Sequence, residues 1–306
     1  MSDPSVDRLE AMMAEAGLTS SVDETPEGFR SGFVALVGRP NVGKSTLLNA
    51  ILGQKVSITS DKPQTTRNQI RGVLDRDDCQ IVFIDTPGIH KPRTLMGERL
   101  NERAREASGG VDVVCLLVDA AKGIGKGDRY LAEQVGAGAI LVLNKCDRAG
   151  REKVADQLAV AAGIEFADYF PISARTGEGV DVLVEHLVAR MPEGPRWYEA
   201  GSVSDTTEEF RVAELVREQL LAVMREELPH SIATRVTEWD PPHIRVEILV
   251  ERDSQKGMVI GKKGAVLKEV GTRTREQLPE GTYLELHVSV ERDWQRKAGS
   301  LDRLGY

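Results

Sequence analysis

The residues best suited to chemistry lie in one short run, Gly38-Arg39-Pro40-Asn41-Val42-Gly43-Lys44-Ser45-Thr46. Glycines let a backbone bend closely around phosphate oxygens, and a helix starting just after them turns its free N–H groups toward the same oxygens. Lys44 adds a positive charge at the outer phosphates, and Ser45 adds a hydroxyl for Mg²⁺. The pattern G-x-x-x-x-G-K-[ST] carries this mechanism only between a strand and a helix, and apolar Phe33–Gly38 followed by Lys44–Leu52 supplies that setting. The run therefore implies a nucleoside triphosphate site.

Four further clusters complete such a site. Asp85-Thr86-Pro87-Gly88-Ile89 ends a later apolar strand, where an acid can hold Mg²⁺ through a water and the Gly88 amide can reach the terminal phosphate. Asn144-Lys145-Cys146-Asp147 decides the base. A carboxylate at Asp147 accepts from N1–H and the exocyclic amine of guanine, a donor pair that adenine lacks. An unmatched polar group in a closed site is costly, so the discrimination is large. Asn144 is expected to brace this loop and touch the purine, with the Lys145 stem packed on the base. Ser173-Ala174 follows the next strand and is expected to bring backbone amides to the guanine oxygen. Gln64-Thr65-Thr66-Arg67, in a polar stretch before Asp85, offers a threonine to complete the Mg²⁺ shell, Thr66 in preference to Thr65.

These pieces occur in the order and spacing of the translation-factor-type GTPases, which residues 31–192 resemble. The resemblance implies a Ras-like domain that cleaves GTP to GDP and phosphate, with Lys44, Thr66 and Gly88 as its catalytic set. One departure matters. Ile89 stands where Ras-like proteins place the glutamine that orients the attacking water. Catalysis is then expected to rest on the phosphate loop, Mg²⁺ and switch backbone, with slow turnover. Related GTPases with asparagine at the position of Asn41 and an apolar residue after the glycine use a potassium ion, which makes Asn41 a candidate K⁺ ligand.

The elements that must position these loops are legible as alternation. Strand-like runs at 33–38, 69–74, 80–85, 111–119, 139–144 and 169–172 take turns with helical runs at 44–52, 95–107, 127–135, 150–161 and 180–190. This predicts an α/β domain with a mixed, mostly parallel sheet, in which the second and third strands form an antiparallel hairpin around Asp75–Asp78. Residues 1–30 are acidic and aperiodic and read as a flexible extension; residues 193–206, opened by Pro192-Glu193-Gly194-Pro195, read as a linker.

From 207 to 306 the order changes to helix, two strands, helix, helix and strand, a smaller α+β domain. Ile260-Gly261-Lys262-Lys263-Gly264 breaks its helical region, and Lys268 follows. Glycines there admit a nucleic-acid backbone, the lysines add charge, and Ile260 and Val259 are expected to line a groove for unstacked bases. The arrangement resembles the type II KH domain. Taken together, residues 31–306 resemble a bacterial family of Ras-like GTPases with a C-terminal KH domain. Asp85-Thr86-Pro87-Gly88-Ile89-His90-Lys91-Pro92, Glu251-Arg252-Asp253-Ser254-Gln255-Lys256-Gly257 and Leu304-Gly305-Tyr306 add to the match. It implies binding to the 3′ end of 16S ribosomal RNA, a role in maturing the small ribosomal subunit, a monomer, and loose association with the inner face of the membrane. Family members usually carry glycine at the position of Lys263. Two other readings stay open: a two-G-domain ribosome GTPase with a KH-like tail, and an RNA-binding module in which nucleotide is a structural ligand.

Composition agrees with a cytoplasmic protein. The chain has 306 residues and a net charge of −8, so a polyanion has no reason to bind its average surface. Locally, Lys256, Lys262, Lys263, Lys268, Arg273 and Arg275 face one acid, Glu269, between positions 255 and 275. The three cysteines, Cys79, Cys115 and Cys146, have neither disulfide nor metal spacing, and the acidic first residues do not form a secretion signal.

Overall fold

Apolar runs without polar interruption become the middle of a sheet, because a strand covered on both faces has no side to give to water. Strand β3 (Cys79–Asp85) and strand β5 (Ile140–Asn144) are buried at every position. The computed structural model describes residues 25–62, 64–89, 94–106, 110–224 and 228–306. In it, β1 (Arg30–Gly38) lies between β3 and β4 (Val113–Asp119), giving the order β2-β3-β1-β4-β5-β6, with β2 at Ile70–Asp75 and β6 at Asp168–Pro171. Of these six strands only β2 runs antiparallel, paired with β3 from Ile70 opposite Asp85 to Asp75 opposite Gln80, as the predicted hairpin requires.

Period-two alternation sends the residues of β1 to opposite sides. Val34 and Leu36 join Leu47 and Leu48 of α1 (Lys44–Leu52) and Leu183 and Leu187 of α6 (Val180–Arg190). Ala35 and Val37 join Leu131 of α3 (Lys126–Val135) and Ala161 of α5 (Arg151–Ala161) on the other face. The remaining helices of this domain are α2 (Leu95–Glu106) and a short α4 (Cys146–Ala149), which lies ahead of the helical run expected from 150.

The second domain packs α7 (Glu208–Val223) and α9 (Ala265–Arg275) over a three-stranded sheet, β7 (Ala233–Asp240), β8 (His243–Val250) and β9 (Tyr283–Val290). Helix α8 (Asp253–Ile260) precedes the glycine turn, and α10 (Ala298–Arg303) closes the fold.

Two boundaries differ from expectation. Of the extension predicted at 1–30, residues 1–24 lie outside the described residues, but Phe29 is buried under the Arg196 guanidinium (4.7 Å) and Arg30 begins β1. The stretch 193–206, expected as a linker, is tied along the nucleotide domain as a strap. Gln80 Oε1 accepts from the backbone N–H of Trp197 and Tyr198, and Arg196 pairs with Asp75 at 3.2 Å. Its prolines and glycines suggested looseness, while Trp197, packed edge-on against Phe33, gives it apolar anchorage.

Candidate functional site

The phosphate loop joins β1 to α1 at the carboxyl ends of the central strands, where open α/β sheets place ligands. Gly43 has φ 103°, and a Cβ there would lie 2.3 Å from Asn144 Nδ2, so this position admits no side chain. Lys44 is buried and donates to the carbonyls of Gly38 (3.2 Å) and Arg39 (3.3 Å). Burial pushes its ammonium down to about 8, partly countered by Asp85. A polyphosphate beside it would favour the charged form again.

Asp85, at the end of β3, is fully buried. Its Oδ2 accepts from Ser45 Oγ (2.6 Å), Ser57 Oγ (3.0 Å) and Thr66 Oγ1 (3.3 Å), while Oδ1 has no partner among the described residues. Burial raises its pKa, opposed by Lys44 and by these hydroxyls. Ser45 and Thr66 lie 2.9 Å apart. Hydroxyl and carboxylate oxygens converging beside an unsatisfied buried carboxylate oxygen form a hard-donor set that fits Mg²⁺. Thr65 turns away and donates to Lys62 O (2.7 Å), so Thr66 is the threonine that reaches this set. Ser57 does not stand out in the sequence, because a serine between Val56 and Ile58 carries no motif.

The base-side loop is braced as expected. Asn144 donates to Val42 O (2.9 Å) and accepts from the N–H groups of Lys145 (2.8 Å) and Ala174 (3.0 Å). The Ala174 amide is thus engaged by Asn144, and a contact with a base oxygen would share that N–H. Lys145 pairs with Asp119 at 2.8 Å and donates to Asn41 O. Asp119 went unnoticed in the sequence, although it too ends an apolar strand. Asp147 is exposed at the loop's rim, one oxygen held by Ser173 Oγ (2.8 Å). Cys146 is half-buried beneath the loop, and burial raises its thiol pKa.

On the phosphate side, Thr86 donates to Leu36 O (2.8 Å), and a Cβ on Gly88 would lie 2.7 Å from the Pro40 backbone. Gly88 therefore rides directly on the loop. Ile89 packs against the apolar cluster of Ala35 and Val37, so it is no substitute for a water-orienting side chain. His90-Lys91-Pro92, which continue this motif, lie outside the described residues. Asn41 donates to Asp61 O (2.5 Å), which brings the switch backbone against the candidate K⁺ ligand. Arg39 reaches across to Asp128 (3.4 Å), while Pro40 and Thr46 help line an open cleft of about 400 Å³.

In the second domain the glycine turn is built as a backbone device. Gly261 has φ 73°, and a Cβ there would lie 2.5 Å from Val266 Cγ2. Lys262, Lys263 and Lys268 are exposed beside it and Ile260 is half-buried. Lys263 holds the left-handed φ of 52°, a conformation that favours the glycine usual in the family. Val259, expected to line the groove, is instead fully buried in the domain core, and Met258, 60% exposed, is the apolar residue facing outward. Helical spacing rotates adjacent residues by about 100°, enough to exchange the two.

The second domain also meets the nucleotide domain through the 55–67 segment. Glu218 of α7 accepts from Thr59 N–H (3.0 Å) and from Lys55, and buried Arg217 donates to Thr65 O while paired with Glu214. Buried Arg67 donates to Ile232 O (2.5 Å) and lies 5.8 and 5.7 Å from the Trp294 and Tyr306 rings. Arg99 of α2 donates to Tyr306 O (2.8 Å), and Met96 and Leu100 join Trp294 and Leu301 in an apolar cluster. Arg67 stands in the Gln64–Arg67 motif, but nothing in sequence marks a partner so many positions away.

Comparison with known proteins agrees with this geometry. Residues 33–145 match the 50S ribosome-binding GTPase family model, and residues 227–295 match the KH domain. The chain is 47% identical to GTPase Era of Mycobacterium avium (strain 104) over 296 residues, covering 91% of this chain and 99% of the relative. It is equally identical to GTPase Era of Mycobacterium tuberculosis (strain H37Rv) over 297 residues, with the same coverage. Among solved structures, a single-residue variant of Aquifex aeolicus Era bound to GDP·AlF4⁻ superposes with TM-score 0.87 at 37% identity, covering 91% of this chain and 99% of that one. A structure of Era in complex with MgGDPNP and nucleotides 1506–1542 of 16S ribosomal RNA gives the same values. With a phosphate loop at the end of the sheet, a KH domain behind it and this identity along nearly the whole chain, the protein belongs to the Era family of GTPases.

Proposed function

We propose that the protein is a GTP-driven switch that binds the 3′ end of 16S ribosomal RNA through its KH domain and assists maturation of the small ribosomal subunit. The observation that carries this reading is the continuity of Thr65, Thr66 and Arg67. Thr66 reaches the Asp85 set, while its neighbours on either side are held by Arg217 and by the Trp294–Tyr306 pocket. Any nucleotide that moves Thr66 must also disturb the second domain. The RNA complex of the related Era supports the ligand.

In this reading the phosphate loop, Gly38 to Thr46, and Lys44 hold the phosphates, Asn144 to Asp147 with Ser173 and Ala174 hold guanine, and Thr86 to Ile89 shape the switch. Ser45 and Thr66 would ligate Mg²⁺, with Asp85 acting through water. Bound there, the ion would neutralise phosphate charge. Lys44, Thr66 and the Gly88 amide stabilise the charge that develops on the transferred phosphoryl group. With Ile89 packed against apolar neighbours, the position after Gly88 does not orient water, and intrinsic turnover is slow. The position of Asn41 against Asp61 O supports a K⁺ ion there. GTP hydrolysis is expected to run about tenfold or more faster in K⁺ than in Na⁺ buffer; equal rates would remove the ion from the scheme.

Lys262, Lys263, Gly264 and Lys268 would contact the RNA backbone, with Gly261 admitting it closely and Ile260 lining the groove. The protein would act as a cytoplasmic monomer with loose contact to the membrane's inner face; among the described residues no helix is long and apolar enough to cross a membrane. Crosslinking of the GTP-bound protein to cellular RNA, followed by mapping, tests the reading. Sites at the 3′ end of 16S ribosomal RNA are expected, and their absence would overturn it.

A further inference from the structure

We propose that Ser57 is a positioning residue for the metal-binding carboxylate, held in place by Asn49 of the helix that begins at Lys44. Three observations meet here. Ser57 is 1% exposed, and its hydroxyl donates to Asp85 Oδ2 at 3.0 Å. Its backbone is clamped at both ends by a single side chain. Asn49 Oδ1 accepts from Val56 N–H and Ser57 N–H, each at 3.0 Å, and Asn49 Nδ2 donates to Ser57 O at 2.7 Å. The third is the division of labour around Asp85. Of its hydroxyl donors, Ser45 and Thr66 are the candidate Mg²⁺ ligands, and the carbonyl next to Thr66, that of Thr65, is held by Arg217 of the second domain. Among the described residues, the Ser57 hydroxyl serves the carboxylate alone.

A buried carboxylate with one oxygen unpartnered is free to rotate about its terminal bond unless the other oxygen is fixed. Donors that also bind the metal shift as metal and nucleotide come and go. Ser57 is no metal donor in this scheme, and Asn49 ties its backbone to α1, the same helix that follows the phosphate loop. Asn49 and Ser57 thus keep Asp85 in register with Ser45 through a tie that runs to α1. Partners of this kind, one step removed from a metal, typically change its affinity by about 10- to 100-fold when lost.

The inference rests on the reading that Mg²⁺ binds at Ser45, Thr66 and Asp85, and the test separates the two. Binding of a fluorescent GDP analogue is measured across Mg²⁺ concentrations, and again in EDTA, for the wild type and for Ser57→Ala and Asn49→Ala. A wild type whose nucleotide affinity ignores Mg²⁺ would refute the metal reading itself. With that dependence present, Ser57→Ala is expected to raise the Mg²⁺ concentration at half-effect about tenfold while leaving affinity in EDTA unchanged. Asn49→Ala should move it in the same direction. An unshifted Mg²⁺ midpoint in Ser57→Ala, or an equal loss of affinity with and without Mg²⁺, would overturn the positioning role and leave Ser57 as packing only.

Discussion

Replacing Asp147 by asparagine is expected to lower GTP affinity roughly 10²-fold, about 3 kcal/mol, and to raise XTP affinity correspondingly. The reason is the direction of two hydrogen bonds. Asp147 is exposed in the structure, with one oxygen held by Ser173. Guanine offers two donors on one edge, and a carboxylate meets both. Asparagine keeps one acceptor and turns an amine toward the other donor, which leaves two hydrogens opposed. Xanthine carries a carbonyl where guanine carries its amine, so the asparagine amine then finds an acceptor. Direct titration with both nucleotides checks the result. Unchanged GTP affinity in Asp147→Asn would remove the base-recognition role from this loop.

Reversing both exposed lysines of the glycine turn, Lys262→Glu together with Lys263→Glu, is expected to weaken RNA binding roughly 10²-fold at physiological salt and to flatten its salt dependence. Nucleotide affinity should stay within about twofold, since exposed side chains of the KH turn act on nucleotide phosphates only through short-range, screened charge. The turn is suited to this role because its glycines bring the backbone close and its lysines stand exposed, whereas Arg273 is paired with Glu269. Filter binding to an RNA carrying the 3′ end of 16S ribosomal RNA, in parallel with GDP titration, measures both. Loss of both functions together would show that the variant had damaged the junction rather than the RNA face.

Much of the site was legible because its chemistry is local in sequence. Gly43 had to be glycine for a reason that the loop pattern already states, and the structure adds only which atom, Asn144 Nδ2, would be struck. The hairpin of β2 and β3 followed from a polar turn between two apolar runs, and α1 and α6 begin and end where their periodicity does. What stayed hidden is non-local. Ser57 gains meaning only when β3 delivers Asp85 beside it, and Asn49 only when α1 turns toward the same place. Val259 turns inward while Met258 faces out because one step along a helix turns by about 100°, and a short helix next to a kink gives too little pattern to fix its phase. The attachment of the linker at 193–206 stayed hidden for a related reason: proline and glycine report backbone conformation, while Trp197 and Arg196 report attachment.

The junction between the two domains has a thermodynamic consequence. Arg67 and Arg217 are both buried in it, and Met96, Leu100, Trp294 and Leu301 continue one apolar cluster through it. Opening it without unfolding either half would uncover oil and strand charge, a cost of several kcal/mol. That is comparable to the stability of a small domain by itself, so the halves should share one melting transition, with calorimetric and van't Hoff enthalpies in agreement. Two resolved endotherms in the nucleotide-free protein would show that the halves keep their own stabilities.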